Sequence, residues 1–92
     1  MEQTRQNLLI LGAGQYGMVA KEIAESCGQY NTIAFLDDKN PIAIGKLNEY
    51  EKLKEQFTHA VVAMGDALCR LEMLDKLEQC GYEIPVLIHP TS

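Results

Sequence analysis

Four short apolar runs divide the chain at fairly regular intervals. Residues 8–11 and 60–64 are continuously apolar, and residues 32–36 and 85–89 are nearly so. Runs of this length without alternation are typical of strands that are covered on both faces of a sheet. We therefore predict four buried strands, and buried strands of this kind indicate a parallel sheet.

A different spacing follows the first strand. Within residues 15–27, the side chains of Val19, Ile23 and Cys27 recur every four residues, and charged side chains occupy other positions around the turn. This periodicity predicts an amphipathic helix whose apolar face is formed by these three residues. Gly28 is predicted to end the helix, because glycine readily adopts the left-handed conformation that closes helices.

The segment after the third strand also has helical spacing. The predicted helix follows Gly65 and Asp66 and is closed by Gly81. One of its sides is rich in leucine and is predicted to face the sheet. The residues of that side are Leu68, Leu71, Leu74 and Leu77.

The connection between the second and third strands combines turn and helix signals. Residues 37–41, Asp-Asp-Lys-Asn-Pro, have strong turn chemistry and end the second strand. Residues 41–47 are compatible with a short extended piece or with a loop. Asn48 followed by Glu51 resembles a capping box, which predicts a short helix up to Phe57.

The order of these elements, β-α-β-α-β-α-β, determines the predicted fold class. Alternating strands and helices with buried strands predict an α/β fold, in which a short parallel sheet carries helices on both faces. Right-handed crossovers then give a Rossmann-like half with the strand order 3-2-1-4. We expect residues 1–92 to form a single domain, because a chain of 92 residues supports one modest core.

Composition and charge argue against several classes of function. The net charge is −5 and the eight Lys and Arg side chains are scattered, so nucleic acid is not an expected partner. No apolar run is long enough to span a bilayer and the polar amino terminus does not resemble a signal peptide, so we expect no membrane partner and a cytoplasmic location. The three cysteines lack C-x-x-C spacing and indicate reduced thiols; they are Cys27, Cys69 and Cys80.

Three glycines after the first strand carry the strongest chemical signal. Gly12, Gly14 and Gly17 have G-x-G-x-x-G spacing between a predicted strand and a predicted helix. In this context the first glycine permits a tight turn, the second lets phosphates approach the backbone, and the third lets the helix pack on the strand. The unpaired N–H groups of the first helical turn then form a site for a diphosphate. The alternative is that the glycines serve only the shape of the turn.

Two acidic residues follow the second strand. Asp37 lies 20 residues after Gly17, at the carboxyl end of the strand, where a carboxylate can accept hydrogen bonds from a ribose hydroxyl. An acid at this position disfavours a ligand with a 2′-phosphate, such as NADP. Asp38 is either a second ligand contact or part of a solvated turn.

Further candidates follow the third and fourth strands. Gly65 permits close backbone approach, and Asp66 is placed either to contact a ligand or to cap the helix that follows it. Arg70 could reach a phosphate or a carboxylate from one turn into that helix. His59 is expected to be structural, whereas His89 suits a binding role and a packing role equally.

Four stretches of the chain together resemble the amino-terminal domain of the NeuD/PglD-type sugar O-/N-acyltransferases. That family joins a small Rossmann-like UDP-binding domain to a left-handed β-helix of hexapeptide repeats. The resemblance runs from Leu8 to Ser92, with the motifs in family order. The stretches are LLILGAGQYGMVAKEIAE, IAFLDD, AVVAMGDALCRLEMLDKL and GYEIPVLIHPTS.

The resemblance implies a binding role for this chain. It implies that the chain holds the nucleotide of a UDP-sugar, while acetyl-CoA and the catalytic residues belong to a β-helix domain that these residues do not include. It further implies a homotrimeric parent, and we expect the isolated domain to be a monomer or weak dimer. The implied contacts are Gly12, Gly14 and Gly17 near the diphosphate, Asp37 and Asp38 near the uridine, and Gly65 and Asp66 at the neighbouring strand end.

The glycine loop departs from the family pattern at two positions. Family loops usually have the sequence G-A-G-G-H-G, whereas Gln15 and Tyr16 occupy the Gly-His positions here. A sugar contact made by the family histidine therefore has no direct counterpart. Tyr16 could stack on a ligand, hydrogen-bond to it, or fill the mouth of the site, and both residues are candidate ligand contacts.

Two other functions are compatible with the same residues. An NAD-binding domain of an oxidoreductase or redox sensor would use the same glycine loop and Asp37. An interaction domain of the same fold would leave the loop empty. We predict no catalytic residue, metal site or resident cofactor within the chain, because no activated nucleophile, acid–base pair or metal-ligand spacing is evident.

Overall fold

The computed structural model describes residues 6–85 and has the predicted α/β class. Three parallel strands alternate with helices along the chain, and a short 3₁₀ helix lies between the second and third strands. The elements are β1 (Gln6–Leu11), α1 (Gln15–Cys27), β2 (Tyr30–Leu36), the 3₁₀ helix (Leu47–Tyr50), β3 (His59–Val62) and α2 (Ala67–Cys80).

The strand order is β2-β1-β3. The predicted order 3-2-1-4 is wrong at the third strand, which pairs with β1 rather than with β2. This arrangement places the most apolar strand at the centre, where residues 8–11 have no exposed surface and both edges find hydrogen-bond partners. The predicted fourth strand, residues 85–89, lies almost entirely outside the described residues. Just before it, Glu83 forms a single parallel bridge with His59 of β3.

The core consists of two layers, one on each face of the sheet. Alternate residues of β1 point to opposite faces, because side chains alternate along a strand. Leu8 and Ile10 pack on the α1 side with Ala24, whereas Leu9 and Leu11 pack on the α2 side with Leu77. The prediction of helices on both faces is therefore confirmed.

Helix α1 has the predicted bounds but buries a different face. Its buried residues are Gly17 and Ala24, and Gly28 closes it with a φ of 71°. Val19 is 49% exposed and Cys27 is exposed, so the predicted apolar face was wrong at these two positions. Small side chains face the sheet because the helix lies so close to it that bulkier ones would not fit.

Helix α2 likewise has the predicted bounds and a buried face that differs from the prediction. Gly81 closes it with a φ of 98°. Of the predicted leucine face only Leu77 is buried; Leu68 and Leu71 are 76% and 60% exposed. Met73 packs on the core beside Leu77 instead. Neither helix, and no other helix within residues 6–85, is long and apolar enough to cross a membrane.

The segment before β3 is a series of tight turns. The predicted helix from Asn48 to Phe57 was wrong. These residues form the end of the 3₁₀ helix and then turns up to residue 56. The capping interaction begins two residues earlier than predicted, with the N–H of Lys46 donating to Glu49 Oε2 at 2.7 Å. Residues 41–46 form a loop with one bridge, between Gly45 and Leu36, and Leu47 begins the 3₁₀ helix.

Candidate functional site

Two of the three loop glycines are required by the fold itself. Gly12 has a φ of 112°, and a methyl group there would lie 2.6 Å from the carbonyl oxygen of Ala63. A methyl group on Gly17 would overlap the carbonyl oxygen of Gly12. The predicted roles of these two glycines, the tight turn and the close packing of the helix on the strand, agree with this geometry.

Gly14 differs from the other two glycines because nothing in the fold requires it. Its φ is −83°, and a methyl group built on it meets no atom within 4 Å. Gly14 is the N-cap residue of α1, and this end of the helix has no side-chain cap. Open space in front of a backbone that any residue could adopt is the property expected where a ligand approaches the chain closely.

The first turn of α1 offers hydrogen-bond donors at this open position. The helical bonds begin with the N–H of Met18, which donates to the carbonyl oxygen of Gly14 at 3.0 Å. The N–H groups of Gln15, Tyr16 and Gly17 therefore precede the helical ladder. They lie at the positive end of the helix dipole, so the site is suited to an anion.

The carboxylate of Asp37 is directed at the glycine loop. Its Oδ2 accepts from the N–H of Ala13 at 2.8 Å, and its Oδ1 accepts from the N–H groups of Lys39 and Asn40 at 2.8 and 3.0 Å. The hydrogen bond from Ala13, followed by those from the turn, holds the pKa of Asp37 below its ordinary value. The predicted contact with a ribose hydroxyl stays a prediction.

Asn40 is a residue that sequence reasoning missed. Its Nδ2 donates to the carbonyl oxygen of Ala13 at 2.9 Å, and its Oδ1 accepts from the N–H of Ile42 at 3.1 Å. The pattern Asp-Asp-Lys-Asn-Pro indicated only a turn, and turn chemistry alone does not reveal a contact across 27 residues.

Asp38 points away from the loop. Its Oδ1 accepts from the N–H of Leu47 at 3.0 Å, and the residue is exposed. It lines an open cavity of about 670 Å³ together with Lys46 and Lys76. Asp38 and Asp37 thus face different directions, and the predicted contact of Asp38 with a base or ribose stays a prediction.

A second cavity, of about 300 Å³, lies on the β3 side of the glycine loop. The ring of Tyr16 covers Gly65, where a methyl group would lie 3.2 Å from the ring. Both residues line the cavity, with Arg70 and the apolar side chains of Val19 and Ile23. Tyr16 is 65% exposed and lies over the turn after β3, and the space in front of Gly14 is open.

Asp66 caps helix α2. Its Oδ1 accepts from the N–H groups of Leu68 and Cys69 at 3.0 and 3.1 Å. This is the capping geometry that one of the two sequence interpretations anticipated. A ligand contact through its second oxygen stays a prediction.

Replacing Asp66 with alanine is expected to lower the free energy of unfolding by about 1 kcal/mol, because two helical N–H groups lose their acceptor. Urea denaturation followed by circular dichroism measures this loss. Asp66→Asn is the matched control, since its side-chain oxygen preserves the cap and should keep most of the stability. Equal stabilities for the wild type and Asp66→Ala would contradict the capping role.

His59 lies away from the glycine loop, and the side chains that could ligate a metal form no cluster within residues 6–85. His59 is buried at the opposite end of β3, where its Nδ1 lies 2.8 Å from Thr58 Oγ1 and its ring packs edge-on against Tyr30. This agrees with the structural role predicted for it. His89 lies outside the described residues. Within residues 6–85, no group of three His, Cys, Asp or Glu side chains could hold a metal ion.

Comparison with known proteins identifies the family. The profile of the PglD N-terminal domain matches residues 7–77. The acetyltransferase domain of PglB from Neisseria gonorrhoeae FA1090, solved in complex with acetyl coenzyme A, is 31% identical with a TM-score of 0.86. That match covers 95% of this chain and 45% of the other. A search of the curated proteins finds no match.

Two further structures come from Caulobacter crescentus. A mutant of GDP-perosamine N-acetyl transferase, in complex with CoA and GDP-perosamine, is 26% identical with a TM-score of 0.80 over 91% of this chain and 43% of that one. PerB, in complex with the same two molecules, is 27% identical with a TM-score of 0.79 over 91% and 42%. The present chain thus spans less than half the length of these proteins. By the family profile and by its identity to the PglB domain, the chain belongs to the PglD N-terminal domain family.

Proposed function

We propose that this chain is a nucleotide-sugar-binding module that holds a diphosphate against the first turn of α1. The observation that carries the proposal is the environment of Gly14. The space in front of it is open, its conformation needs no glycine, and three N–H groups follow it before the helical ladder begins. A glycine that the fold does not require is most simply explained by a ligand that needs the room.

The positions of the other candidate residues support a ligand that extends to both sides of this point. Because β1 is central, the turn after it lies between the ends of β2 and β3. Ligands of open α/β sheets bind in such a crevice at the carboxyl ends of the strands. We infer that the nucleoside lies toward Asp38 beyond β2, and that the sugar lies toward Tyr16 and Gly65 beyond β3.

The nucleobase is left open by this geometry. The sequence resemblance suggests a UDP-sugar, whereas the Caulobacter relatives were solved with GDP-perosamine. The residues beyond β2 include both acidic and basic side chains, which suit either base. We therefore propose the class, a nucleoside diphosphate sugar, with UDP and GDP as the two candidates to be compared.

The family membership favours a transferase parent over an oxidoreductase. We propose that the parent is a sugar acyltransferase located in the cytoplasm, in which this module presents the sugar amine or hydroxyl to acetyl-CoA bound by a second domain. The solved structures of the PglB domain with acetyl coenzyme A and of PerB with CoA support this role. The proposed parent is a homotrimer, and the isolated chain is a monomer or weak dimer.

Calorimetric titration of the chain with UDP, GDP and UDP-N-acetylglucosamine tests the binding function. We expect saturable binding of at least one diphosphate ligand, and weaker binding of the corresponding monophosphate, because the second phosphate contacts the helix N-terminus. NADH is the comparison ligand for the oxidoreductase alternative. Tight binding of NADH alone, or no binding of any of these ligands at millimolar concentration, would overturn the proposal.

A further inference from the structure

The backbone of Ala13, which precedes Gly14, is held at both its N–H and its carbonyl oxygen by the turn after β2. The N–H of Ala13 donates to Asp37 Oδ2 at 2.8 Å, and the carbonyl oxygen of Ala13 accepts from Asn40 Nδ2 at 2.9 Å. Ala13 is 1% exposed. Both polar groups of a buried loop residue are thus satisfied by side chains that lie 24 and 27 residues away along the chain.

Those two side chains are themselves fixed in place. The Oδ1 of Asp37 accepts from the N–H groups of Lys39 and Asn40, and the Oδ1 of Asn40 accepts from the N–H of Ile42. The turn is also attached to the sheet, since Ile44 N–H donates to Phe35 O at 2.9 Å. The side chains of Asp37 and Asn40 are therefore each held by backbone groups of the turn, and each also bonds to Ala13 in the glycine loop.

The hydrogen bonds also divide the loop into two parts. The N–H of Gly12 donates to Leu36 O at 2.8 Å, so Gly12 and Ala13 are both bonded to the end of β2. The N–H groups that precede the helical ladder begin beyond them, in the first turn of α1. Orienting the backbone of Ala13 sets the direction in which the chain enters that turn, and so the direction of these N–H groups.

We propose that Asp37 and Asn40 are positioning residues that clamp the backbone of Ala13 at its N–H and its carbonyl oxygen, and thereby hold the anion-binding turn in its binding geometry. The inference rests on the proposed function and changes the role of Asp37 within it. The carboxylate takes one loop N–H away from the ligand in order to orient the next ones. Preorganised donors bind an anion more tightly because no ordering cost is left to the moment of binding.

The test compares two clamp variants with matched controls. Asn40→Ala removes the bond to the carbonyl oxygen of Ala13. Asp37→Asn weakens the other contact, because one amide oxygen replaces the two carboxylate oxygens that accept from Ala13 and from the turn. Asp75→Asn makes the same charge change at an exposed residue of α2 that lines neither cavity, and Asn31→Ala makes the same amide-to-methyl change at an exposed position of β2. Affinities for UDP and GDP are measured at a temperature at which circular dichroism shows every variant folded.

We expect each clamp variant to lose affinity about tenfold and each control less than about threefold, as for the loss of one oriented hydrogen bond. Inorganic pyrophosphate has no ribose, so it distinguishes a clamp on the loop from a direct contact between Asp37 and the ribose. The clamp predicts that Asp37→Asn weakens binding of pyrophosphate and of the nucleotide by similar factors. A loss for the nucleotide alone would mean that Asp37 binds the ribose and would overturn the proposal.

Two other results would also overturn it. Tighter pyrophosphate binding by Asp37→Asn would mean that the carboxylate acts only by repelling the anion. Clamp variants that bind like their controls would mean that the two side chains are not needed to hold the backbone of Ala13 in its binding geometry. If the wild type binds none of the probes, the proposed function fails, and the clamp is then judged by exchange of the Ala13 amide hydrogen. The clamp predicts slow exchange in the wild type and at least tenfold faster exchange in Asn40→Ala; equal rates would contradict it.

Discussion

Replacing Gly14 with aspartate is expected to abolish nucleotide binding while leaving the protein as stable as before, or more stable. The backbone conformation at Gly14 suits any residue, and the added side chain has room. An aspartate at the N-cap accepts hydrogen bonds from the second or third N–H of the helix. The substitution therefore stabilises α1 by a few tenths of a kcal/mol, up to about 1 kcal/mol with the helix dipole.

The same hydrogen bonds remove the donors that the diphosphate would use, and the carboxylate adds a like charge beside it. We expect affinity for UDP or GDP to fall about 100-fold or more, the equivalent of two charge-assisted hydrogen bonds. Calorimetry and thermal denaturation measure the two effects on one sample. A variant that gains stability and loses its ligand would link both effects to the same N–H groups.

Two controls separate capping, charge and bulk in this experiment. Gln15→Glu adds the same charge one residue later, where the side chain is past the N-cap position, and should cost less affinity than Gly14→Asp. Gly14→Ala adds bulk without an acceptor and should have an intermediate effect. Wild-type affinity in Gly14→Asp would exclude the proposed site.

Replacing Gly17 with alanine is expected to destabilise the protein strongly, in contrast to the same substitution at Gly14. Alanine normally favours a helix over glycine by about 1 kcal/mol. Here the added methyl group would overlap the carbonyl oxygen of Gly12 and press on the ring of Phe35. We expect a net loss of about 3 kcal/mol in the free energy of unfolding, a large part of the stability of a small domain.

Urea denaturation of Gly17→Ala beside Gly14→Ala measures this difference. The two variants add the same atom three residues apart, so their unfolded states are closely matched. The Gly14 variant should unfold close to the wild-type urea concentration or slightly below it, because alanine is a poorer N-cap residue than glycine. Similar midpoints for both variants would mean that α1 does not lie on the sheet as closely as the structure has it.

The local features of the fold could be predicted from the sequence, because they depend on neighbouring residues. Helix α1 runs from Gln15 to Cys27 and is closed by Gly28, and α2 is closed by Gly81, as the glycine and periodicity signals indicated. The strand order could not be obtained in this way. An apolar run shows that a strand is buried and does not show which edge of β1 its partner occupies.

The faces of the helices were missed for a related reason. A search for large apolar residues selected Val19 on α1 and Leu68 on α2, both of which are exposed. The buried face of α1 is formed by Gly17 and Ala24, because a helix that lies close to a sheet requires small side chains there. A pattern of large apolar residues does not reveal such a face. Asn40 was missed because a side-chain bond to a distant peptide leaves no periodic signal in the sequence.

The central claim is that the first-turn N–H groups of α1 hold the anionic part of a nucleotide. Amide chemical shifts of the ¹⁵N-labelled chain, followed during titration with UDP and with GDP, test it most directly. We predict that the largest saturable shifts fall on the amides of Gln15, Tyr16 and Gly17, and that the Gly14→Asp variant lacks them. Saturable shifts that leave these three amides unchanged and fall instead around Lys46 and Lys76 would contradict the claim.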